Sequence, residues 1–177
     1  MLEGKLVRLR PLEPEDLESA LKWMNDPEVT YFLGRRYPIS RVEEERWLRE
    51  ASANSFASGL RLAIETQDGT LIGSIDLHNA SPEDRRAGLG IVIGEPEHWS
   101  KGYGSDAIMA VLRFAFHQMN LNRVSLEAFE SNERALACYR KCGFREEGRL
   151  RRDRFKHGRY YDTIVMGVLR EEFEIMA

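Results

Sequence analysis

Near the middle of the chain, Leu89-Gly-Ile-Val-Ile-Gly94 runs into Glu95-Pro-Glu-His-Trp-Ser-Lys-Gly-Tyr-Gly104. These residue types, in this order, suit anion binding. Apolar, β-branched residues lead into a bend rich in glycine and proline, and a helix-forming segment follows. The first amides of a helix lack an intrahelical acceptor, and glycine lets the backbone turn freely and approach a ligand closely. The amides of Lys101 to Ser105 can therefore converge on a phosphate. A tight turn between two helix caps is the competing reading of the same residues. Two other phosphate-binding patterns fit badly. The triphosphatase loop needs Gly-Lys followed by Ser or Thr, and here Lys101 precedes Gly102. The dinucleotide pattern needs three glycines in a strand–helix–strand unit near its start, which is absent.

Other residues of chemical interest are scattered. Asp76 and His78 are two apart on an expected strand and so share a face, and an imidazole titrates near neutrality. Glu127 shares a strand face with Ser125 and Phe129. Cys138 and Cys142 are four apart on one expected helix, but no Cys or His partners complete a metal set, so core thiols are expected and no metal. His98 and His157 fall in expected loops, and His117 near a helix C-terminus. Arg149, Arg151, Arg152, Arg154, Lys156 and Arg159 form a basic run that reads as a solvated hairpin or as a site for an acidic ligand. Glu43 to Glu45 suit a helix start, or the attraction of a cationic amine.

The elements that position these residues follow from periodicity. Lys5 to Arg10 alternates as a first strand, and Asp16 to Trp23 is an amphipathic helix stopped at Asn25-Asp26-Pro27. Val29 to Pro38 reads as a loop or broken helix. Ser40 with Glu43 is a capping-box pair opening a second helix, and Ser52 to Gly59 a turn. Leu60 to Glu65 and Leu71 to Leu77 form a hairpin around Asp68-Gly69. Leu89 to Ile93 is an apolar, centrally placed strand. A confident helix is predicted over Ser105–Gln118, a strand over Val124–Phe129, and a helix from the Asn132 cap through Cys142, closed by Gly143. Two last strands flank His157-Gly158. The alternation predicts a single mixed α/β domain spanning residues 1–177.

Composition excludes several classes. Lys and Arg total 26 and Asp and Glu 29, a net charge of −3 on 177 residues, which argues against general nucleic-acid binding. With 42% hydrophobic and 31% charged residues the chain should fold around its own core. No run of apolar residues suffices for a membrane helix, and Met1 to Lys5 shows no signal-peptide pattern. A cytoplasmic protein is the expectation, with no membrane and no nucleic acid among its partners.

The two segments Leu89–Gly104 and Val124–Phe144, in this order and spacing, resemble the GCN5-related N-acetyltransferase superfamily. More narrowly, they resemble the branch holding ribosomal-protein N-terminal and spermidine acetyltransferases. The resemblance extends from Leu6-Val-Arg-Leu-Arg-Pro11 to Val165-Met166. It implies a mixed central sheet splayed at two parallel strands, Leu89–Ile93 and Val124–Phe129. Acetyl-coenzyme A would enter between them, its pantetheine arm against Ile91, Val92 and Ile93. The family loop matches Trp99-Ser-Lys-Gly-Tyr-Gly104, with Trp99 at the Arg/Gln position, and places the pyrophosphate over Ser100, Lys101, Gly102, Tyr103, Gly104 and Ser105. Asn132 matches a cofactor-contacting asparagine, and Tyr139 the tyrosine that faces the cofactor sulfur.

Acyl transfer to an amine needs a neutral amine, a polarised carbonyl and a protonated leaving thiolate. By the resemblance, Tyr139 is the acid and the amide near Val92 polarises the thioester. Relatives often carry a glutamate in an Ala-Glu-Leu-Gly-like run, where this chain has Ala87-Gly88-Leu89-Gly90. Gly88 cannot carry a proton, so Glu127, Asp76 and His78 are the candidate bases, with a water-mediated relay without a unique base as the equal alternative. Tyr31, Phe32, Trp47 and Asp76 are candidate acceptor-site residues. The resemblance places a protein N-terminus first among acceptors, with a polyamine or other small amine, or a non-catalytic coenzyme-binding module, as alternatives. It also implies a homodimer.

Overall fold

The computed structural model describes residues 1–51 and 59–176, so most of the turn expected at Ser52–Gly59 lies outside the described residues. The chain opens with β1 (Leu2–Glu3), β2 (Val7–Pro11) and a 3-10 turn at Pro14–Asp16, then helices α1 (Leu17–Asn25), α2 (Pro27–Thr30) and α3 (Arg41–Ala51). A meander of β3 (Leu60–Thr66), β4 (Leu71–Ser81) and β5 (Arg86–Ile93) precedes α4 (Tyr103–His117). Then come β6 (Arg123–Phe129), α5 (Glu133–Lys141), the hairpin β7 (Arg145–Lys156) and β8 (Arg159–Leu169), and α6 (Arg170–Met176).

The strands form one mixed sheet in the order β1-β2-β3-β4-β5-β6-β8-β7. Every pairing is antiparallel except that of β5 with β6, which is parallel and short: Arg86 with Arg123, Ala87 with Val124, Gly88 with Ser125. Beyond Gly88 the two strands part. β5 stays paired to β4 as far as Ile93, and β6 to β8 as far as Phe129. The sheet thus opens into a fork, as the family resemblance implied.

Two layers cover the sheet. On one face Ile75, Leu77, Leu89, Val124 and Leu126 meet α4, whose Ile108, Leu112 and Phe116 are fully buried. Each such side chain contributes on the order of 1.5–3 kcal/mol by leaving water. On the other face Ala63 packs with Leu12 and Leu48, beneath α1 and α3. Side-chain alternation puts Asp76, His78, Gly88, Gly90, Ser125 and Glu127 on this second face.

The differences from the sequence reading are local. α4 starts at Tyr103 rather than Ser105, because Gly102 takes φ +91° and admits the chain to the helix earlier. Ser105 sits in the first turn and donates its hydroxyl to Gly102 O at 2.9 Å. Asn25-Asp26-Pro27 ends α1 and also begins α2, because the Asp26 carboxylate accepts from Glu28 N–H at 2.8 Å. Ser40 caps α3 as expected, accepting from Glu43 N–H at 3.2 Å. β1 and α6 were not anticipated. α6 has a single buried anchor, Phe173, at 5.3 Å from the Phe116 ring, so it carries no amphipathic period.

Asp106, in the first turn of α4, accepts from the backbone N–H groups of Lys5, Leu6 and Val7 at 3.0, 2.6 and 3.1 Å. One carboxylate thereby fastens the β1–β2 turn to the helix that opens the glycine bend. Asp106→Ala is expected to cost about 2 kcal/mol, in line with lost hydrogen bonds to a charged group. A lower denaturation midpoint with an unchanged m-value is the check.

Candidate active site

The bend between β5 and α4 has an open donor surface. The N–H groups of Ser100 to Ser105 have no acceptor among the described residues. Ser100 (φ +59°) and Gly102 (φ +91°) supply the left-handed turns that keep them out of a regular ladder. Trp99 anchors the bend by donating its indole N–H to Ile93 O at 2.7 Å, and the Arg134 guanidinium lies 3.8 Å above the Trp99 ring. Partial burial of Arg134 lowers its pKa from the ordinary arginine value. This places a cation of α5 beside free amides of α4, an arrangement made for a phosphate.

A cleft of about 570 Å³ follows the fork. Ile91, Val92, Ile93, Trp99, Ser100, Gly102, Gly104, Ser105, Asn132 and Tyr139 all line it, together with Glu127 and Phe32. Lys101 and Tyr103 do not; Tyr103 turns edge-on to His98 at 5.4 Å. The ladder phase assigns the backbone of β5. Gly94 N–H donates to Ile72 O at 2.8 Å, so even-numbered residues bond to β4 while odd-numbered ones face the fork. The Val92 amide itself is therefore turned toward β4. The Ile91 and Ile93 amides face the gap instead.

α5 brings the next groups. Asn132 caps the helix, accepting from Ala135 N–H at 3.2 Å, and Gly143 closes it at φ +91°. Tyr139 projects into the cleft, its ring 6.1 Å from Phe144. Burial first, and the neighbouring thiols second, push its phenol up from the ordinary value of 10. A phenol so raised stays protonated throughout the neutral range and keeps a proton to give. Cys138 and Cys142 hydrogen-bond each other, which lowers the first thiol and raises the second. Cys142 also points its sulfur at Ser105 O, 3.6 Å away, linking α5 to the first turn of α4. Among the described residues no group of three or more His, Cys, Asp and Glu side chains could hold a metal.

α2 and the residues after it add Glu28, Phe32 and Gly34 to the cleft lining, Glu28 acting electrostatically on Arg134. Glu127 also lines the cleft but is held by Arg154 at 2.6 Å, and Arg154 also donates to Thr163 Oγ1 at 3.0 Å. Glu127 is thus an ion-pair partner here. Much of the basic run serves the same wall. Lys156 Nζ donates to Thr30 O at 2.5 Å and to Leu33 O at 2.6 Å, and Arg149 pairs with Glu130 and Asp162. Tyr31 stacks on His157 at 4.1 Å, and neither Tyr31 nor Trp47 on α3 is among the residues lining the cleft. Asp76 and His78 lie beside the lining, hydrogen-bonded to each other at 2.6 Å. Sequence reading missed Arg134 and Glu28 and saw Arg154 only as part of a basic run, because their roles come from partners far away in the chain.

The profile of the acetyltransferase (GNAT) domain matches residues 7–145. The chain belongs to the GNAT acetyltransferases. Among curated relatives, the uncharacterized N-acetyltransferase YoaA of Bacillus subtilis is 31% identical over 96% of this chain and 97% of its own. The spermidine N(1)-acetyltransferase of Vibrio cholerae is 30% identical over 94% and 95%. The crystal structure of the Vibrio cholerae spermidine N-acetyltransferase with CoA and spermine superposes with a TM-score of 0.88, at 28% identity, covering 97% of this chain and 99% of that one. The activity is acetyl transfer from acetyl-coenzyme A, and the forked sheet is the GNAT fold. No helix among the described residues is long and apolar enough to cross a membrane.

In this GNAT enzyme the left-handed turn at Gly102 should be sensitive to a side chain. A Cβ there would stand 3.3 Å from Leu6 Cδ1 and sit in a backbone region that costs L-residues about 1–2 kcal/mol. Gly102→Ala is expected to weaken acetyl-coenzyme A binding about tenfold. Calorimetric titration of the folded variant checks it.

Proposed function

We propose that the enzyme acetylates a small polyamine-like amine, with Tyr139 as the acid that protonates the departing thiolate. The observation that carries this reading is the set of charges lining the cleft. Free amides and Arg134 face it from the glycine bend and α5, Tyr139 lines it, and Glu28, a neighbour of Arg134, and Glu127, paired with Arg154, add carboxylates. The amides suit a polyphosphate-bearing donor and the carboxylates a cationic acceptor. The hydrogen bonds of Lys156 to Thr30 and Leu33 bring the β7–β8 hairpin over the acceptor wall, which suits a thin acceptor better than a folded protein.

The expectation that ranked a protein N-terminus first is reordered. The spermidine acetyltransferases of Vibrio cholerae and Escherichia coli, and the complex with CoA and spermine, support the polyamine alternative. The arrangement also suits direct transfer. Ser100 to Ser105 and Arg134 would hold the pyrophosphate, and the backbone of Ile91 and Ile93 would align the pantetheine arm. The bound acetyl-coenzyme A supplies the activated acetyl group. Holding both reactants in one cleft removes much of the entropic barrier.

Thiol release with acetyl-coenzyme A and a panel of spermidine, an aminoglycoside and N-terminal peptides tests the acceptor. Spermidine is expected to give the highest kcat/KM; peptide turnover above it would overturn the reading. Tyr139→Phe is expected to lower kcat on the order of 10²-fold, the lower range for a positioned acid, with acetyl-coenzyme A affinity within about twofold. Because the phenol is raised, the wild-type kcat should show no loss of the acid form at mildly alkaline pH. A falling limb below about pH 10, abolished in Tyr139→Phe, would contradict that sign.

A further inference from the structure

Asp76 and His78 stand where the fork begins. In register, His78 lies opposite Gly88, and Gly88 with Ser125 is the last β5–β6 pair before the strands part. Asp76 lies opposite Gly90, which lines the cleft. The Asp76 carboxylate is 2.6 Å from His78 Nδ1. With the Nδ1 proton donated to Asp76, the lone pair of neutral His78 is on Nε2. That nitrogen fills the space beside Gly88: a Cβ at position 88 would come within 2.5 Å of it. A Cβ at position 90 would likewise come within 2.5 Å of Asp76 Oδ1. Larger residues at these two positions would displace the dyad or wall it from the cleft. Glycine at both makes room for the dyad on this face, beside Gly90, which lines the cleft. The side chains of Asp76 and His78 are 34% and 42% exposed, so a proton taken there can leave to solvent.

We propose that His78 is the proton acceptor of the acetyl-transfer reaction and Asp76 its positioning residue. This rests on the acetyl-transfer reading above, though not on which amine is the acceptor. The substrate ammonium gives one proton to His78 Nε2, and the neutral nitrogen attacks the acetyl carbon. The nitrogen–carbon bond forms and the carbon–sulfur bond breaks. Tyr139 gives its proton to the sulfur and is restored by the second proton lost from nitrogen. The proton on His78 passes to bulk water, and no other reactant is needed.

The charged groups on the ring's side of the sheet are Asp76 on its own strand, Arg61 on β3 and Glu127 on β6; β5 places Gly88 opposite the ring and Arg86, paired with Asp84, two residues along the same face. The bond to Asp76 raises the imidazole above its ordinary 6.5, burial and Arg61 oppose the rise, and Glu127 adds to it. An imidazole raised in this way is a stronger proton acceptor when neutral.

The test is the pH dependence of kcat with whichever amine of the panel the wild type turns over best. Three variants are compared: His78→Gln, Asp76→Asn and Gly88→Ala. His78→Gln is expected to lose about 10²-fold at neutral pH and to lose the acidic limb, with acetyl-coenzyme A affinity unchanged. Asp76→Asn should retain the limb but move it to lower pH, because the carboxylate that favours imidazolium is gone. A merely structural role would lower the rate evenly without moving the limb. Gly88→Ala, which adds no charge, should lower kcat by displacing the ring. His78→Gln within twofold of wild type, or a limb that no variant moves, overturns the proposal. A panel in which peptides are acetylated and spermidine is not would sink the acceptor class alone and leave this test standing.

Discussion

The short parallel pairing of β5 with β6 governs this molecule. Three residue pairs join the strands, and after Gly88 and Ser125 the sheet loses its ladder while each strand keeps its outer neighbour. Buried backbone polar groups seek partners, so the inner edge of β5 is left with donors and acceptors for an extended ligand. Ile93 O already shows the tendency by accepting the Trp99 indole N–H. The fork is held open from both sides, by β4 and by β8, so the opening costs nothing further when the donor enters. The site is preorganised in that sense.

The helices complete what the fork begins. α4 buries a wide apolar stripe on the sheet and presents its N-terminus at the end of β5, where Gly102 and Ser100 turn the amides outward. α5 crosses beside it, carrying Arg134 over Trp99 of the glycine bend and Tyr139 into the lining of the same cleft. The sulfur of Cys142 against Ser105 O joins the two helices at the point where both supply the site. Its burial therefore has a packing use, and no metal chemistry is needed to account for the thiols.

How much of this the sequence announced depended on how local each signal was. The glycine bend was legible, since a positive φ at Gly102 and a strand leading to a helix leave marks on adjacent residues. The Asn132 cap and Gly143 stop were legible for the same reason. Tyr139 was found through its motif alone; its spacing on α5 says only that it is a partly buried aromatic. The stacking of Arg134 on Trp99 and the pairing of Arg154 with Glu127 join residues that no local period relates, so they were invisible. The orientation of the Val92 amide turned on a ladder phase set by one bond, Gly94 to Ile72. Alternation of side chains cannot reveal which edge a peptide group faces.

The two carbonyls held by Lys156 have a consequence for how such an enzyme can change. The wall beyond Tyr139 is stiffened by a hairpin from the C-terminal half gripping a loop from the N-terminal half. The glycine bend is stiffened by other contacts, those of α4, α5 and Asp106. Drift in the hairpin tip can re-cut the chamber that selects one nucleophile over another while the donor end keeps its shape.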